Sequence, residues 1–371
     1  MKERKLKILL VSPYNAKRVG GIGTWSKSIL DYYGKVSNKY QIIFQNTSNP
    51  LKSNIKKGIV WRILIGIEDS FVILFKLFWN ILVKQPDVVH YTSSASLALS
   101  KDKIALFITK YIFKKKFVIH WHFGRIPEIC NEKGNEYKKL IDVIRKSDVN
   151  IVLDIKSLKS LEKEKIHNVV NIPNPMTSAI YETTKNIFIE KINEKRAEGE
   201  VLFVGHILKT KGVFELVSAC IELPSVKKLI MIGPFLPEIK NELIKLVDKY
   251  HKNNILEFKG ELPREAVYDY YKKCSIFCLP SYSEGFPYVI LEAMAFGCPI
   301  VATKVGAIDE MLEDESGVLV ESQNIVELRK GIENLISDKN KCNLLSKKAY
   351  QRVMSVYTNE TIFKQYEKEW N

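Results

Sequence analysis

Two glutamates eight positions apart, Glu284 and Glu292, stand in the stretch of this 371-residue chain whose residue types could do chemistry. It reads Leu279-Pro-Ser-Tyr-Ser-Glu284-Gly-Phe-Pro-Tyr-Val-Ile-Leu-Glu292-Ala-Met-Ala-Phe-Gly297. The apolar run from Ser275 to Leu279 reads as a buried strand, closed by Pro280. Pro287 suits a first helical position, where its fixed φ fits and its missing N–H is not needed. Gly297 supplies a C-terminal stop. The spacing predicts a helix of roughly ten residues, about 15 Å long. Glu284 then lies in the loop at the helix mouth and Glu292 on the helix. Backbone N–H groups at such a mouth suit a phosphate. A carboxylate beside a phosphate is unfavourable unless it binds hydroxyls, so the pair points to a sugar or a ribose. The same letters also fit a solvated loop acid and a helix acid with no task.

Other residues offer weaker chemistry. Gly20-Gly21-Ile-Gly23 precedes a helical pattern, and Gly21-x-Gly23-x-x-Ser26 half-matches a dinucleotide fingerprint. The glycines do not follow the first strand directly. The second strand, Gln41 to Phe44, ends without the acid that would hold a ribose. A glycine-lined turn that admits a phosphate or an acceptor fits better than a nicotinamide site. His120 and His122 are two apart on a strand and face the same way. A third metal ligand is not evident beside them, and His122 reads either as a strand-end ligand contact or as packing.

The elements that must position these residues alternate. Lys7–Val11, Gln41–Phe44, Pro86–His90, Phe117–His122, Asp148–Leu153 and Val169–Ile172 read as strands separated by helical patterns. Pro173-Asn-Pro175 breaks the chain, and 176–199 is polar and reads as a linker. Alternation resumes with Val201–Val204, Lys228–Ile232, Ile255–Phe258 and Pro299–Ala302. Such alternation means parallel sheets with ligands at the strands' carboxyl ends, and here two sheets in series.

Composition is that of a soluble globular protein, with 46% hydrophobic and 27% charged residues. Six scattered cysteines without a C-x-x-C pair fit buried thiols in a reducing compartment. The apolar run Ile8–Val11 is too short for a signal-peptide core. Residues 1–175 hold 31 Lys and Arg against 14 Asp and Glu, a net +17, while the remainder holds 26 against 28. Such asymmetry points to an anionic partner for the first half. Nucleic-acid motifs do not accompany it, so anionic lipid is the favoured partner. Residues 59–83 are the most apolar region, but Glu68, Asp69 and Lys76 argue against a spanning helix. Leu64, Ile67, Phe71, Leu74, Phe78 and Ile81 recur at helical spacing, which fits a core helix or one pressed into a bilayer surface.

Together these motifs resemble the retaining glycosyltransferases of family 4. The Gly20-Gly21 loop, His122-x-Gly124, Ile172-Pro-Asn174, Phe203-Val-Gly205 through Lys211-Gly212, Glu284-Gly-Phe-Pro to Glu292, Ala295-Phe-Gly-x-Pro299 and Val305-Gly306 occur in family order. The resemblance implies an α/β chain of the GT-B fold, two facing Rossmann-like domains with parallel sheets and an interdomain cleft. It implies an acceptor domain at 1–175, a linker at 176–199 and a nucleotide-sugar domain at 200–355. The C-terminal helix at 356–371 is expected to pack back on the first domain.

The resemblance also implies roles. Glu292 would accept hydrogen bonds from ribose hydroxyls. Glu284 and the backbone of Gly285, Phe286 and Pro287 would grip the donor sugar, and Lys211 would neutralise the departing diphosphate. His122 would sit near the reacting sugar, and Gly20 and Gly21 would line the substrate site. A metal or a cofactor is not expected. The donor is a UDP- or GDP-sugar, the acceptor a glycan or lipid-linked glycan, and the place of work the cytoplasmic face of the cell membrane. Attack is expected on the face the leaving phosphate departs from, the phosphate helping to deprotonate the acceptor. Two departures stand out. His206 replaces the arginine usual after the Phe-Val-Gly turn, giving up a permanent bidentate charge, and it belongs among the substrate-binding candidates. Pro175 stands where glycine is common, which bears on the hinge. A sugar-nucleotide epimerase of similar fold and an inactive nucleotide-sugar binder are the competing readings.

Overall fold

The computed structural model describes residues 4–15, 20–36, 39–48, 59–187, 189–252 and 254–371, with the side chains of 35–36, 59–64, 97 and 190–191 left aside. The stretch 16–19, expected as part of the first loop, lies outside the described residues, as does the side chain of Leu64. Two compact units divide the chain, one of residues 1–178 with 359–371 and one of 179–358.

The first unit is a parallel six-stranded sheet. Its strands are β1 (Leu6–Ser12), β2 (Tyr40–Asn46), β3 (Val88–Ser93), β4 (Lys116–Trp121), β5 (Val149–Val152) and β6 (Val169–Asn171), in the order β2-β1-β3-β4-β5-β6. Their runs are apolar because helices cover both faces of a parallel sheet. The helices are α1 (Gly21–Val36), α2 (Ile59–Lys84), α3 (Leu99–Leu106), α4 (Ile126–Glu132), α5 (Asn135–Lys146) and α6 (Ile155–Lys163). A π-helical turn, Phe107–Ile112, continues α3. Leu9, Val11, Val89, Phe117, Ile119 and Leu140 sit in the buried core of this unit.

The polar stretch 176–199, expected as a linker, carries two short helices, α7 (Ser178–Thr184) and α8 (Ile189–Asn193). Its physical ties explain the difference. Ile180 and Ile189 are buried, and the Arg196 guanidinium donates to the carbonyls of Tyr271, Lys272, Cys274, Phe296 and Gly297.

The second unit is also a six-stranded parallel sheet: β7 (Glu200–Val204), β8 (Lys228–Ile232), β9 (Leu256–Gly260), β10 (Ile276–Leu279), β11 (Ile300–Thr303) and β12 (Val318–Val320). The order β12-β11-β10-β7-β8-β9 puts the first strand of the unit beside the fourth. This is the doubly wound Rossmann order, whose ligand crevice opens at the carboxyl ends where the strand order reverses, here between β7 and β10. Its helices are α9 (Val213–Ile221), α10 (Pro237–Lys249), α11 (Arg264–Lys273), α12 (Tyr288–Ala295), α13 (Ile308–Met311), α14 (Ile325–Ser337) and α15 (Lys339–Val356).

The chain ends in α16 (Asn359–Trp370), which belongs to the first unit. Trp25 Nε1 on α1 donates to the Tyr366 hydroxyl at 3.2 Å, and the Trp370 indole donates to His90 Nδ1 at 3.0 Å.

Candidate functional site

Glu284 follows β10 at the switch point and meets Lys211, which follows β7. Lys211 Nζ donates to Glu284 Oε1 at 2.6 Å, and Ser281 Oγ donates to the same oxygen at 2.7 Å. Glu284 Oε2 has no hydrogen bond among the described residues, so one carboxylate oxygen is held and one is open. Backbone contacts fix the two loops against each other. Tyr282 N donates to Thr210 O at 2.9 Å, and the Tyr282 hydroxyl donates to Glu215 at 2.6 Å. Lys211 ends a short 3₁₀ turn, and Gly212 (φ 67°) starts α9 in the left-handed region. A Cβ on Gly212 would stand 2.0 Å from Pro280 O, so only glycine permits this approach. Gly306 plays the matching part on the far side. At φ 56° its α-carbon faces the Glu284 carbonyl, where a Cβ would come to 2.1 Å, and Ala307 N donates to Gly285 O.

Glu292 lies on α12 and is 6% exposed. The Tyr271 hydroxyl donates to its Oε2 at 3.0 Å, and Arg264 Nε approaches Oε1 at 3.5 Å, an ion-pair contact rather than a short hydrogen bond. Burial pushes the Glu292 carboxyl above the ordinary glutamate range, against the opposing pull of Arg264 and Tyr271. Pro287 is the N-cap of α12 rather than its first residue, and the helix is eight residues long, not ten. It ends where Gly297 N bonds Met294 O and Cys298 N bonds Ala293 O, a Schellman stop. Phe286 is buried against Tyr357, so its side chain shapes the loop while Gly285 and Pro287 carry the turn.

The structure therefore brings Lys211, Glu284, Gly285, Phe286, Pro287 and Glu292 together at one sheet edge. His206 follows β7 on the same loop and is exposed. Arg264, Tyr271 and Ser281 were not singled out from sequence. Arg264 and Tyr271 are seven apart, hence on one face of α11, a signal legible only once Glu292 is known to lie across from it.

In the first unit the loops after β1 and β3 flank the reversal of strand order. Gly20 caps α1, with Thr24 N donating to its carbonyl at 2.9 Å, and a Cβ on Gly20 or Gly21 would meet nothing within 4 Å. Against Trp25 of α1 sits a cluster of three histidines, His90 on β3, His120 on β4 and His122 just after it. His120 and His122 rings lie 3.9 Å apart, with Trp25 at 4.8 and 5.1 Å, and His90 lies 5.6 Å from His120. Both His120 nitrogens and His122 Nε2 are buried without a hydrogen-bond partner among the described residues. His122 keeps some accessible surface as a residue, so it is the member that reaches the edge of the cluster. Burial pushes His90 and His122 down to about 3 and His120 down as well, so all three are neutral at physiological pH. No group of three or more metal-ligating side chains placed to hold an ion occurs among the described residues.

That cluster makes the first unit acid-sensitive. A histidine in the unfolded chain takes up a proton near pH 6.5, whereas burial keeps His90 and His122 neutral down to about pH 3 and holds His120 well below its ordinary value too. The unfolded state then binds more protons across that window, and stability falls as the pH drops. The urea midpoint should decline between pH 7 and pH 5, above most carboxylate titrations. His120→Leu, which removes two orphaned ring nitrogens, should flatten the decline; an unchanged slope would refute the assignment.

The fold and site define a protein with two Rossmann-like units, the GT-B class, carrying a cation–carboxylate pair at the switch point of the second. Residues 184–352, nearly all of that unit, match the family model of glycosyl transferases group 1. It is 25% identical to an uncharacterized glycosyltransferase of Methanocaldococcus jannaschii over 98% of both chains. Over 46% of its length it is 27% identical to a capsular polysaccharide biosynthesis glycosyltransferase of Staphylococcus aureus, covering 45% of that protein. Among solved structures, an Anabaena protein in complex with UDP superposes with a TM-score of 0.71 at 16% identity, covering 98% of this chain and 99% of the other.

Proposed function

We propose that the protein is a retaining, metal-independent hexosyltransferase that moves a sugar from a UDP- or GDP-sugar to a glycan or lipid-linked glycan in cell-surface polysaccharide biosynthesis. The Lys211–Glu284 pair at the β7/β10 switch point carries this reading. Glu292 Oε1 accepts from the ribose hydroxyls, while Tyr271 fixes the other oxygen. Glu284 Oε2 and the backbone of Gly285 and Pro287 take sugar hydroxyls. Lys211 turns its ammonium to the diphosphate as negative charge builds on the leaving oxygens, where it counts most. His206 stands on the same loop as Lys211 and reaches the donor only as a secondary contact. In the first unit His122 and the open Gly20-Gly21 turn border the acceptor and the reacting carbon.

The UDP named with the Anabaena structure and the capsular role of the S. aureus relative support the donor and pathway class. The enzyme works in the cytoplasm, peripheral on the anionic inner face of the cell membrane. No helix among the described residues is long and apolar enough to cross a membrane.

A panel of UDP- and GDP-sugars tests the donor, since ligand at a hundred times its Kd stabilises by about 2.7 kcal/mol. One sugar nucleotide should raise the Tm, and glycosyl product should form only with acceptor present. Interconversion of the sugar nucleotide without acceptor would instead indicate an epimerase, and neither reaction an inactive binder. With Lys211 carrying the phosphate charge, EDTA should leave the rate within twofold. Loss of activity on chelation, restored by Mn²⁺ or Mg²⁺, would show that a metal does that work.

A further inference from the structure

Helix α2 presents two apolar faces to different surroundings. Leu77 and Ile81 are fully buried in the first unit's core, with Leu74 packed beside them. On the other face Phe71, Phe75 and Trp79 follow one another at four-residue spacing and are 71%, 61% and 56% exposed. Leu82 continues the row. The end of α3 and its π-helical continuation pack beside α2, where the half-buried Phe78 meets Phe113 at 4.9 Å. There Phe107 and Tyr111 are 55% and 51% exposed, and Ile104 and Ile112 are exposed as well. Scattered single hydrophobics need no explanation, but rows of exposed aromatics on two neighbouring helices do.

The charges around it choose the occupant. Lys76, Lys84 and Lys114 are exposed and Lys115 half-buried, and none of the four ammonium groups has an ion pair among the described residues. Lys110, by contrast, is engaged by Asp148 at 2.8 Å, and Lys103 by Asp142 at 2.7 Å. A second copy docked on this face would set lysines against lysines on halves that each carry +17. An anionic bilayer offers phosphate to the lysines and acyl chain to the rings. Trp and Tyr suit that boundary because an apolar body and a polar tip both find their medium there.

We propose that the outer face of α2 and the adjoining end of α3 form the membrane-docking surface of the protein. The aromatic row enters the headgroup–acyl boundary, and Lys76, Lys84, Lys114 and Lys115 meet anionic phosphates. This deepens the membrane part of the function proposed above and rests on it. Lys114 and Lys115 precede β4 and His122 follows it, so they lie at opposite ends of a six-residue strand, roughly 20 Å apart. Both helices run from the carboxyl edge of the sheet to its amino edge, so docking by this flank leaves the carboxyl edge, with His122 and Gly20, open to an acceptor.

Co-sedimentation with phosphatidylglycerol and phosphatidylcholine vesicles tests the surface. The wild-type chain should pellet with the anionic vesicles at low salt, be released at high salt, and bind the neutral ones at least tenfold less. The triple variant Phe71→Ser/Phe75→Ser/Trp79→Ser should lose at least tenfold in anionic binding, whereas Leu236→Ser, exposed in the second unit, should lose nothing. A second readout needs no multiple substitution: brominated acyl chains should quench wild-type tryptophan emission, and Trp79→Phe should lose most of that quenching. Wild-type protein left in the supernatant with both lipids would overturn the surface and the membrane reading together. Anionic binding that persists in the triple variant, together with equal quenching in wild type and Trp79→Phe, would overturn the surface alone. A wild-type dimer on light scattering that the triple variant dissolves would assign this face to a second copy instead.

Discussion

Lys211→Ala should lower turnover about a hundredfold while leaving the fold intact. Lys211 is the cation that the loop after β7 brings to the switch point, and its contact with Glu284 at 2.6 Å shows that its ammonium reaches the site. A charge-assisted hydrogen bond removed from a partly buried pair costs about 1.5–3 kcal/mol, or ten- to hundredfold. If Lys211 meets the diphosphate as proposed, the upper end applies, because the contact grows as charge develops there and kcat should fall more than KM rises. Lys211→Arg keeps the charge but changes its geometry, and should recover part of the rate. The pair makes a further distinction. Glu284→Ala should also be slow, yet the double variant should lose less than the product of the two single losses, since each side chain orients the other. Initial rates across a donor titration, at saturating acceptor, provide the check. Equal kcat in Lys211→Ala and wild type would remove Lys211 from the chemistry.

Much of this site was legible in letters because its parts obey local rules. Strand, proline, polar loop, helix and glycine stop follow one another between Ser275 and Gly297, and eight-residue spacing put Glu284 at the mouth and Glu292 on the helix. That the second sheet is parallel followed from alternation, while its strand order did not. What failed to show were contacts made at long range. Arg196 sits in a polar stretch that reads as a linker, yet it closes five carbonyls contributed by residues 75 to 101 positions later. Tyr271 and Arg264 have meaning only against Glu292 across the packing of α11 on α12.

Helix α2 was half legible for a different reason. The stripe of Ile67, Phe71, Leu74, Phe78 and Ile81 treats one side as buried, but the structure puts Ile67 and Phe71 outside and Leu74 and Ile81 inside. A helix apolar nearly all round has no polar face to mark its outside. Periodicity therefore gave the helix without its orientation.

Glu292→Gln should make the protein more stable at neutral pH and abolish tight donor binding. Burial holds the carboxyl above its ordinary range even though Arg264 and Tyr271 pull the other way, so keeping it ionised costs the folded state free energy. The sign follows from proton counting. An unfolded glutamate releases its proton near pH 4.3, and the native one holds it to higher pH, so stability falls as pH rises across that window. Glutamine is uncharged throughout and still accepts from the Tyr271 hydroxyl. The Tm advantage of the variant should be absent at pH 4, grow as the pH passes the raised native value, and stay level above it. Donor affinity should move oppositely, because an amide oxygen accepts more weakly from ribose hydroxyls than a carboxylate does, and ten- to hundredfold weaker binding follows from the loss of a charged acceptor. Calorimetric melts from pH 4 to 8 measure the first effect and nucleotide titration the second. A Glu292→Gln protein that melts lower than wild type at pH 8, yet binds the donor equally well, would show that the carboxylate serves packing and not the nucleotide.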